Sequence, residues 1–172
     1  TAYTLTGRDQ PECLLGVEVS ASLFALLGVQ AVVGRPFTSG EDQPGAAPVA
    51  LISHGLWQRR FGGDTNLLGQ VLTLDGRSHT VVGIMPPRFA FPETAELWTP
   101  LMVDNPEAQR SSHTYAGVAR LKRGITIRQT RTEMAEIARR IAVAHPQTHA
   151  DVGVVLGPLR DDWVGEWSVR AW

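Results

Sequence analysis

The sequence predicts an α+β protein of two lobes, in which an α/β lobe made of split strand-helix-strand units is interrupted by a mostly β inserted lobe. Three observations carry this. A strand-helix-strand pattern opens the chain, a second one closes it, and the stretch between them is rich in strand signals, with a hairpin centred on Asp75-Gly76. The two flanking units can share one layer only if the middle, about residues 38 to 112, is looped out.

In the first unit, Leu15, Val17 and Val19 alternate with Leu14, Gly16 and Glu18 in "CLLGVEVS", the period of a half-buried strand. Ser20 or Ser22 is placed to cap a short helix running to Leu27, with Gly28 suited to its left-handed end. "VQAVVGRPF" then returns as a strand. Residues 38–48, "TSGEDQPGAAP", read as a surface loop and as the best internal boundary. Val49 to Ile52 form a buried strand, and Ser53 stands where an N-cap belongs. Leu56, Trp57, Arg60 and Phe61 follow at helical spacing until Gly62-Gly63 ends the helix.

"GQVLTLDGRSHTVVGIM" is a hairpin with two candidate registers. A two-residue loop sets Leu72 opposite His79; a four-residue loop, residues 75–78, pairs Val71 with Val82 and Thr73 with Thr80, and the longer loop is expected. "ELWTPL" resumes as an extended segment. "YAGVARLK" reads as a strand, and Thr126 with Gln129 as the capping box of the clearest helix. Ile127, Met134, Ile137, Ala138 and Ile141 line one face of that helix, Arg128, Glu136, Arg139 and Arg140 the other, with Glu136 and Arg140 an i,i+4 pair. Pro146 blocks continuation, and "DVGVVLGPL" supplies the last strand.

Composition narrows the function. A chain of 172 residues with 43% hydrophobic residues can bury a core. Sixteen basic against 17 acidic residues leave a net charge of -1, no field to hold a polyanion, and so exclude nucleic acid as the expected partner. Cys13 is the single cysteine, which rules out an internal disulfide and a thiolate metal cluster. The most apolar stretch, residues 23–33, falls short of the roughly 20 residues of a membrane helix. The chain opens at Thr1 without a signal-like segment and stops at "WSVRAW", which leads us to expect a piece of a longer protein.

Few residues suggest chemistry. Ser53 and His54 are adjacent, poor geometry for a nucleophile and its base, and no G-x-S-x-G elbow surrounds them, so an N-cap is the expected role. His145 and His149 have metal-binding i,i+4 spacing, but Pro146 lies between them where the helix should end, which argues against zinc. His79 reads as a strand residue with one wet edge, and Cys13 as a small buried apolar residue. Glu41-Asp42 and Asp161-Asp162 match no calcium pattern and read as solvated. The spaced glycines lack phosphate-loop spacing. Trp57 and Trp98 read as core. Trp163, Trp167 and Trp172 crowd the end of the chain, as tryptophans near a bilayer interface do. No catalytic, cofactor-binding or metal residue is assigned.

The succession "VEVSASLFALLGVQAVVGRPFTSGEDQPGAAPVALISHGLWQRRFGGD", "LLGQVLTLDGRSHTVVGIMPPRFAFP" and "LWTPL" resembles the periplasmic core domain of MacB-like, FtsX-like ABC transporter permeases, with looser similarity in "VARLKRGITIRQTRTEMAEIARRI" and "LGPLRDDWVG". The resemblance implies a porter-like lobe from residues 1–37 and 112–172 and an inserted lobe from residues 38–111. It implies a non-catalytic domain on the extracytoplasmic side of the inner membrane, between two membrane helices of a permease that dimerises. Its partners would be those helices, an ATPase domain or subunit and a periplasmic adaptor, with no cofactor; the net charge of -1 and ordinary apolar content lead us to expect the isolated domain to be a monomer. Such domains couple ATP-driven motion to export or to an adaptor. Two alternatives stand beside this: a stand-alone extracytoplasmic ligand-binding or sensory module, and a hydrolase using Ser53.

Overall fold

A computed structural model describes residues 2–7, 10–92, 94–103, 115–150 and 152–159. The chain divides into two units, Thr1–Asp104 and Asn105–Trp172. In the first, alternation along β1 (Ala2–Thr6) and β2 (Glu12–Val19) sends Tyr3, Leu5 and Leu14 inward and leaves Ala2, Thr4, Cys13 and Leu15 outside. α1 (Leu23–Leu27) buries Leu23 and Phe24 and ends at the left-handed Gly28. β3 is only Val33–Gly34, shorter than the strand expected from "VQAVVGRPF". Pro36, without an N–H to give a ladder, lies just past it. β4 (Val49–Ile52) is buried throughout, α2 (His54–Phe61) follows directly, and a single 3-10 turn, Thr65–Leu67, leads to β5 (Val71–Leu74), β6 (Arg77–Ile84) and β7 (Leu97–Pro100).

These strands make one mixed sheet in the order β3-β6-β4-β7-β2-β1-β5, and β5 also pairs with β6. The last pairing closes six strands into a ring, a small barrel with β3 appended outside it on β6. Tyr3, Leu5, Leu14, Ala50, Ile52, Leu72, Leu74, Val81, Ile84 and Leu97 form its interior, together with Leu56 and Trp57 of α2 and Leu67. Truncating a wholly buried member such as Leu14 to alanine costs about 2–5 kcal/mol. A second apolar layer lies outside the ring: Phe24 packs edge-on against Phe37 and Trp98 and tilted against Phe89, at centroid distances of 5.7, 6.3 and 6.0 Å. Cover on both faces explains why β4 reads as a continuous apolar run and not as alternation.

The shared sheet corrects the expected lobe boundary after residue 37. β2 pairs with β7, β1 with β5 and β3 with β6, so strands from both sides of residues 38–48 share one sheet and no sheet break falls between them. The turn-rich loop of residues 38–48 looks like a boundary in sequence, yet it joins neighbours in one structure.

The hairpin register is also corrected. Leu72 faces His79 and Leu74 faces Arg77, leaving a two-residue loop. Sliding the pairing by two residues keeps every side chain on its own face, so burial does not separate the two registers. The turn does: Asp75 and Gly76 both have positive φ, 48° and 76°, as a type I′ turn requires.

In the second unit, α3 (Ile127–Ala144) has the expected capping box, with the Thr126 hydroxyl accepting the Gln129 amide and the Gln129 side chain accepting the Thr126 amide. None of its residues is buried. Glu136 pairs closely with Arg139 at i,i+3, and Arg140, the partner expected at i,i+4, acts on the same carboxylate through its charge. α4 (Pro146–His149) follows. Residues 115–122 and 152–158 carry no strand, contrary to expectation: neither is laddered to a neighbour, and Val155 in the second is 98% exposed. No helix among the described residues is long and apolar enough to cross a membrane.

Candidate functional site

β4 ends where Ser53 takes an extended conformation, φ -69° and ψ 153°, and its buried Oγ accepts the Leu56 amide at 3.0 Å. Its own N–H donates to the Glu96 carbonyl. The neighbouring His54 ring turns edge-on to Trp57, with centroids 5.3 Å apart. The hydroxyl is thus engaged in capping α2, and the imidazole packs beside it instead of serving it as a base.

Around this junction runs an ion network that carries no local signal in the sequence. Arg59 bridges Glu12 at the start of β2 and Glu96 just before β7, the latter at 2.8 Å. Arg60 lies 3.7 Å from Glu12 and donates to the Gln10 carbonyl. These partners lie 37 to 50 residues apart in sequence.

The acidic pair Glu41-Asp42, expected to be merely solvated, ties the loop down. Glu41 receives both guanidinium nitrogens of Arg35, at 2.6 and 3.0 Å, and the Thr38 amide at 2.7 Å. Asp42 accepts the Ala21 amide ahead of α1 at 2.9 Å. The Arg35 hydrogen bond holds the Glu41 carboxyl below its ordinary range, and the Ala21 amide does the same for Asp42. The stretch "GRPFTSGED" therefore pins the loop to both β3 and α1, while its Phe37 fills the outer aromatic layer.

Inside the barrel, the Tyr3 hydroxyl is 3.0 Å from Thr99 Oγ1 and donates to Glu18. Burial raises its pKa. The ring lies over Gly16, where a Cβ would stand 2.3 Å from Tyr3 Cδ2, a close approach signalled only by a glycine inside a strand. His79 is 8% exposed, more enclosed than a wet-edged strand residue, and burial pushes its pKa down. Cys13, expected to be buried, is exposed because it shares the outward face of β2 with Leu15. Trp57 and Trp98 are core, as expected.

A cleft of ≈ 370 Å³ opens beside Thr6, Arg60, Asp64, Gln70 and Thr73, over Leu5. Several of its polar groups are engaged within the chain. Asp64 accepts the Asn66 amide and side chain, its carbonyl accepts the Trp57 indole N–H, and Gln70 donates to the Asn66 carbonyl. His145, at the junction of α3 and α4, and His149, the last residue of α4, have ring centroids 6.3 Å apart. Among the described residues, no group of three or more His, Cys, Asp or Glu converges as a metal site would require. His113, Asp161-Asp162, Trp163, Trp167 and Trp172 lie outside the described residues.

Residues 1–137 match the MacB-like periplasmic core domain family. Three solved bacterial structures share the fold. The extracellular domain of the noncanonic ABC-type transporter YknZ from Gram-positive bacteria is 16% identical with a TM-score of 0.55, over 87% of this chain and 74% of that one. The periplasmic region of MacB from Actinobacillus actinomycetemcomitans is 12% identical with a TM-score of 0.60, over 87% of this chain and 65% of its own. A permease-protein domain from Porphyromonas gingivalis is 18% identical with a TM-score of 0.54, over 86% and 67%. No curated protein gives a significant match.

Proposed function

Because the chain belongs to the MacB-like periplasmic core domain family, we propose that it is the extracytoplasmic domain of an ABC transporter permease and that it works as a non-catalytic coupling element. In this reading it is anchored by the permease's own membrane helices in the inner membrane, and an ATPase domain or subunit on the other side drives their motion. The domain passes that motion to an exported substrate or to a periplasmic adaptor, within a permease dimer. The observation that carries the reading is the family match, which spans the whole barrel and the first half of α3.

Two features of the molecule support it. The closed barrel is a stiff body suited to moving as one piece, since each ring strand is hydrogen-bonded on both sides. Ser53 is occupied as a helix cap, which weighs against the hydrolase alternative. The test is to read the parent gene on both sides of this segment for apolar stretches of about 20 residues, and to fuse alkaline phosphatase within residues 38–48 of the full-length protein. Flanking spans and an active fusion are the expected result. Absent spans or an inactive, cytoplasmic fusion overturn the permease reading.

A further inference from the structure

The seam of the barrel is zipped along only part of β5. In an antiparallel ladder, alternate residues turn their N–H and C=O groups to one neighbouring strand, and the residues between turn theirs to the other. Gln70 accepts the Val81 amide on the β6 side, whereas Asp75 donates to the Thr4 carbonyl on the β1 side. Thr73 and Val71 alternate in step with Asp75, so their backbone groups are aimed at β1. Thr73 is paired there with Thr6. Gly7, at φ 113°, then turns the chain out of the ladder, and the backbone groups of Val71 meet no partner on that side among the described residues. The cleft of ≈ 370 Å³ opens at this point, where the ladder would have continued. The buried Leu5, Leu67 and Leu72 line it, and the Val71 side chain, 57% exposed, stands at its rim.

We propose that this open stretch of β5 binds an extended peptide segment by strand addition. An N–H and a C=O aimed the same way from one strand residue match the C=O and N–H of one residue on an added strand. The peptide residue opposite Val71 sets its side chain beside the exposed valine, where a β-branched or aromatic side chain pairs best. Its two neighbours turn to the other face, over Leu5, Leu67 and Leu72, which favours small apolar side chains there. The recognised ligand is thus a short extended run with a β-branched residue between two small apolar ones. The site is a property of the barrel and does not depend on the permease reading.

The test is an NMR titration of the isotope-labelled 172-residue chain with acetyl-Ala-Val-Ala amide, beside the same peptide N-methylated at its valine, which cannot donate to the Val71 carbonyl. Millimolar tripeptide is expected to move the Val71 amide resonance most, with Gly7 and Leu72 next, and the N-methylated form to move none of them. Val71→Pro removes the N–H that faces the cleft and leaves the β6 ladder whole, so this variant should fold and lose the response at Gly7 and Leu72. Absent shifts, shifts led by residues away from the cleft, or an equal response to the N-methylated peptide overturn the proposal on the unaltered chain, whatever the variant does. A folded Val71→Pro chain that still responds overturns it equally. So does a Val71 resonance that moves with protein concentration and not with peptide, which would assign the edge to a second copy.

Discussion

Asp75 and Thr4 exchange two hydrogen bonds across the seam of the barrel: the Thr4 amide donates to Asp75 Oδ1 at 2.8 Å, and the Asp75 amide donates to the Thr4 carbonyl at 3.0 Å. The residue that makes the β5–β6 turn thereby fastens β1 to β5, whose own ladder holds only Leu5 with Leu74 and Thr6 with Thr73. Asp75→Ala should lose a hydrogen bond and place an alanine at φ 48°, for a combined cost of about 2 kcal/mol. Asp75→Asn, which tolerates that φ and still offers an acceptor oxygen, should lose less than half as much. Urea denaturation of the three chains decides this, and equal losses would refute the seam role.

Gly16 leaves room for the Tyr3 ring. A methyl group there meets Cδ2 and Cε2 at 2.3 and 2.6 Å, and the ring, itself buried, cannot yield without giving up its Thr99 contact. Gly16→Ala is expected to destabilise by roughly 1–3 kcal/mol and to alter the near-ultraviolet tyrosine signal. In a Tyr3→Leu background the same substitution should cost markedly less.

Stability should fall with acid in two stages. Burial lowers the folded-state pKa of His79 below 6.5, so the unfolded chain takes up a proton that the folded chain refuses, and stability declines as pH drops through that value. Glu41 and Asp42, held below 4.5 and 3.8 by the Arg35 and Ala21 hydrogen bonds, contribute fully above those values. That contribution is lost as pH falls through their depressed folded-state values. Urea midpoints across pH should show His79→Gln flattening the upper stage and Glu41→Gln with Asp42→Asn flattening the lower one; unchanged slopes would contradict the assignment.

Ser53→Ala removes an N-cap whose hydroxyl satisfies the Leu56 amide, and should cost about 1 kcal/mol, with Ser53→Asp restoring most of it. Equilibrium unfolding measures both. A far larger loss of some hydrolytic activity, with stability intact, would favour the enzyme reading.

Cys13 faces outward from β2. A thiol reagent should label one equivalent per native chain without denaturant, and protection until unfolding would place the side chain on the other face.

What was legible in the sequence was local. Ser53, Gly62 and the pair Thr126 and Gln129 act on backbone groups within one helical turn, so residue type and spacing sufficed to name them. The hairpin was legible and its register was not, because the competing registers bury the same residues and differ only in which positions take positive φ. The exposure of Cys13 is not legible, because alternation along β2 gives two faces without saying which is inward. Of the candidate site, the Ser53-His54 junction was readable, while the ion network that bridges Glu12, Arg59 and Glu96 was not. It depends on α2 meeting the ends of β2 and β7. The loop of residues 38–48 misled for a related reason: Glu41 and Asp42 have the composition of a boundary and the contacts of a clasp.

The barrel's closure also sets a schedule for its making. Thr4 emerges from the ribosome early, but Asp75, its partner across the seam, comes 71 residues later. Until then β1 can pair only with β2, and its other side waits open while the intervening chain is synthesised and pays the entropy of a long loop. A chain that is threaded through a membrane while it is made would thus present its first strand half-finished on the far side, the interval in which a chaperone of that compartment has most to do.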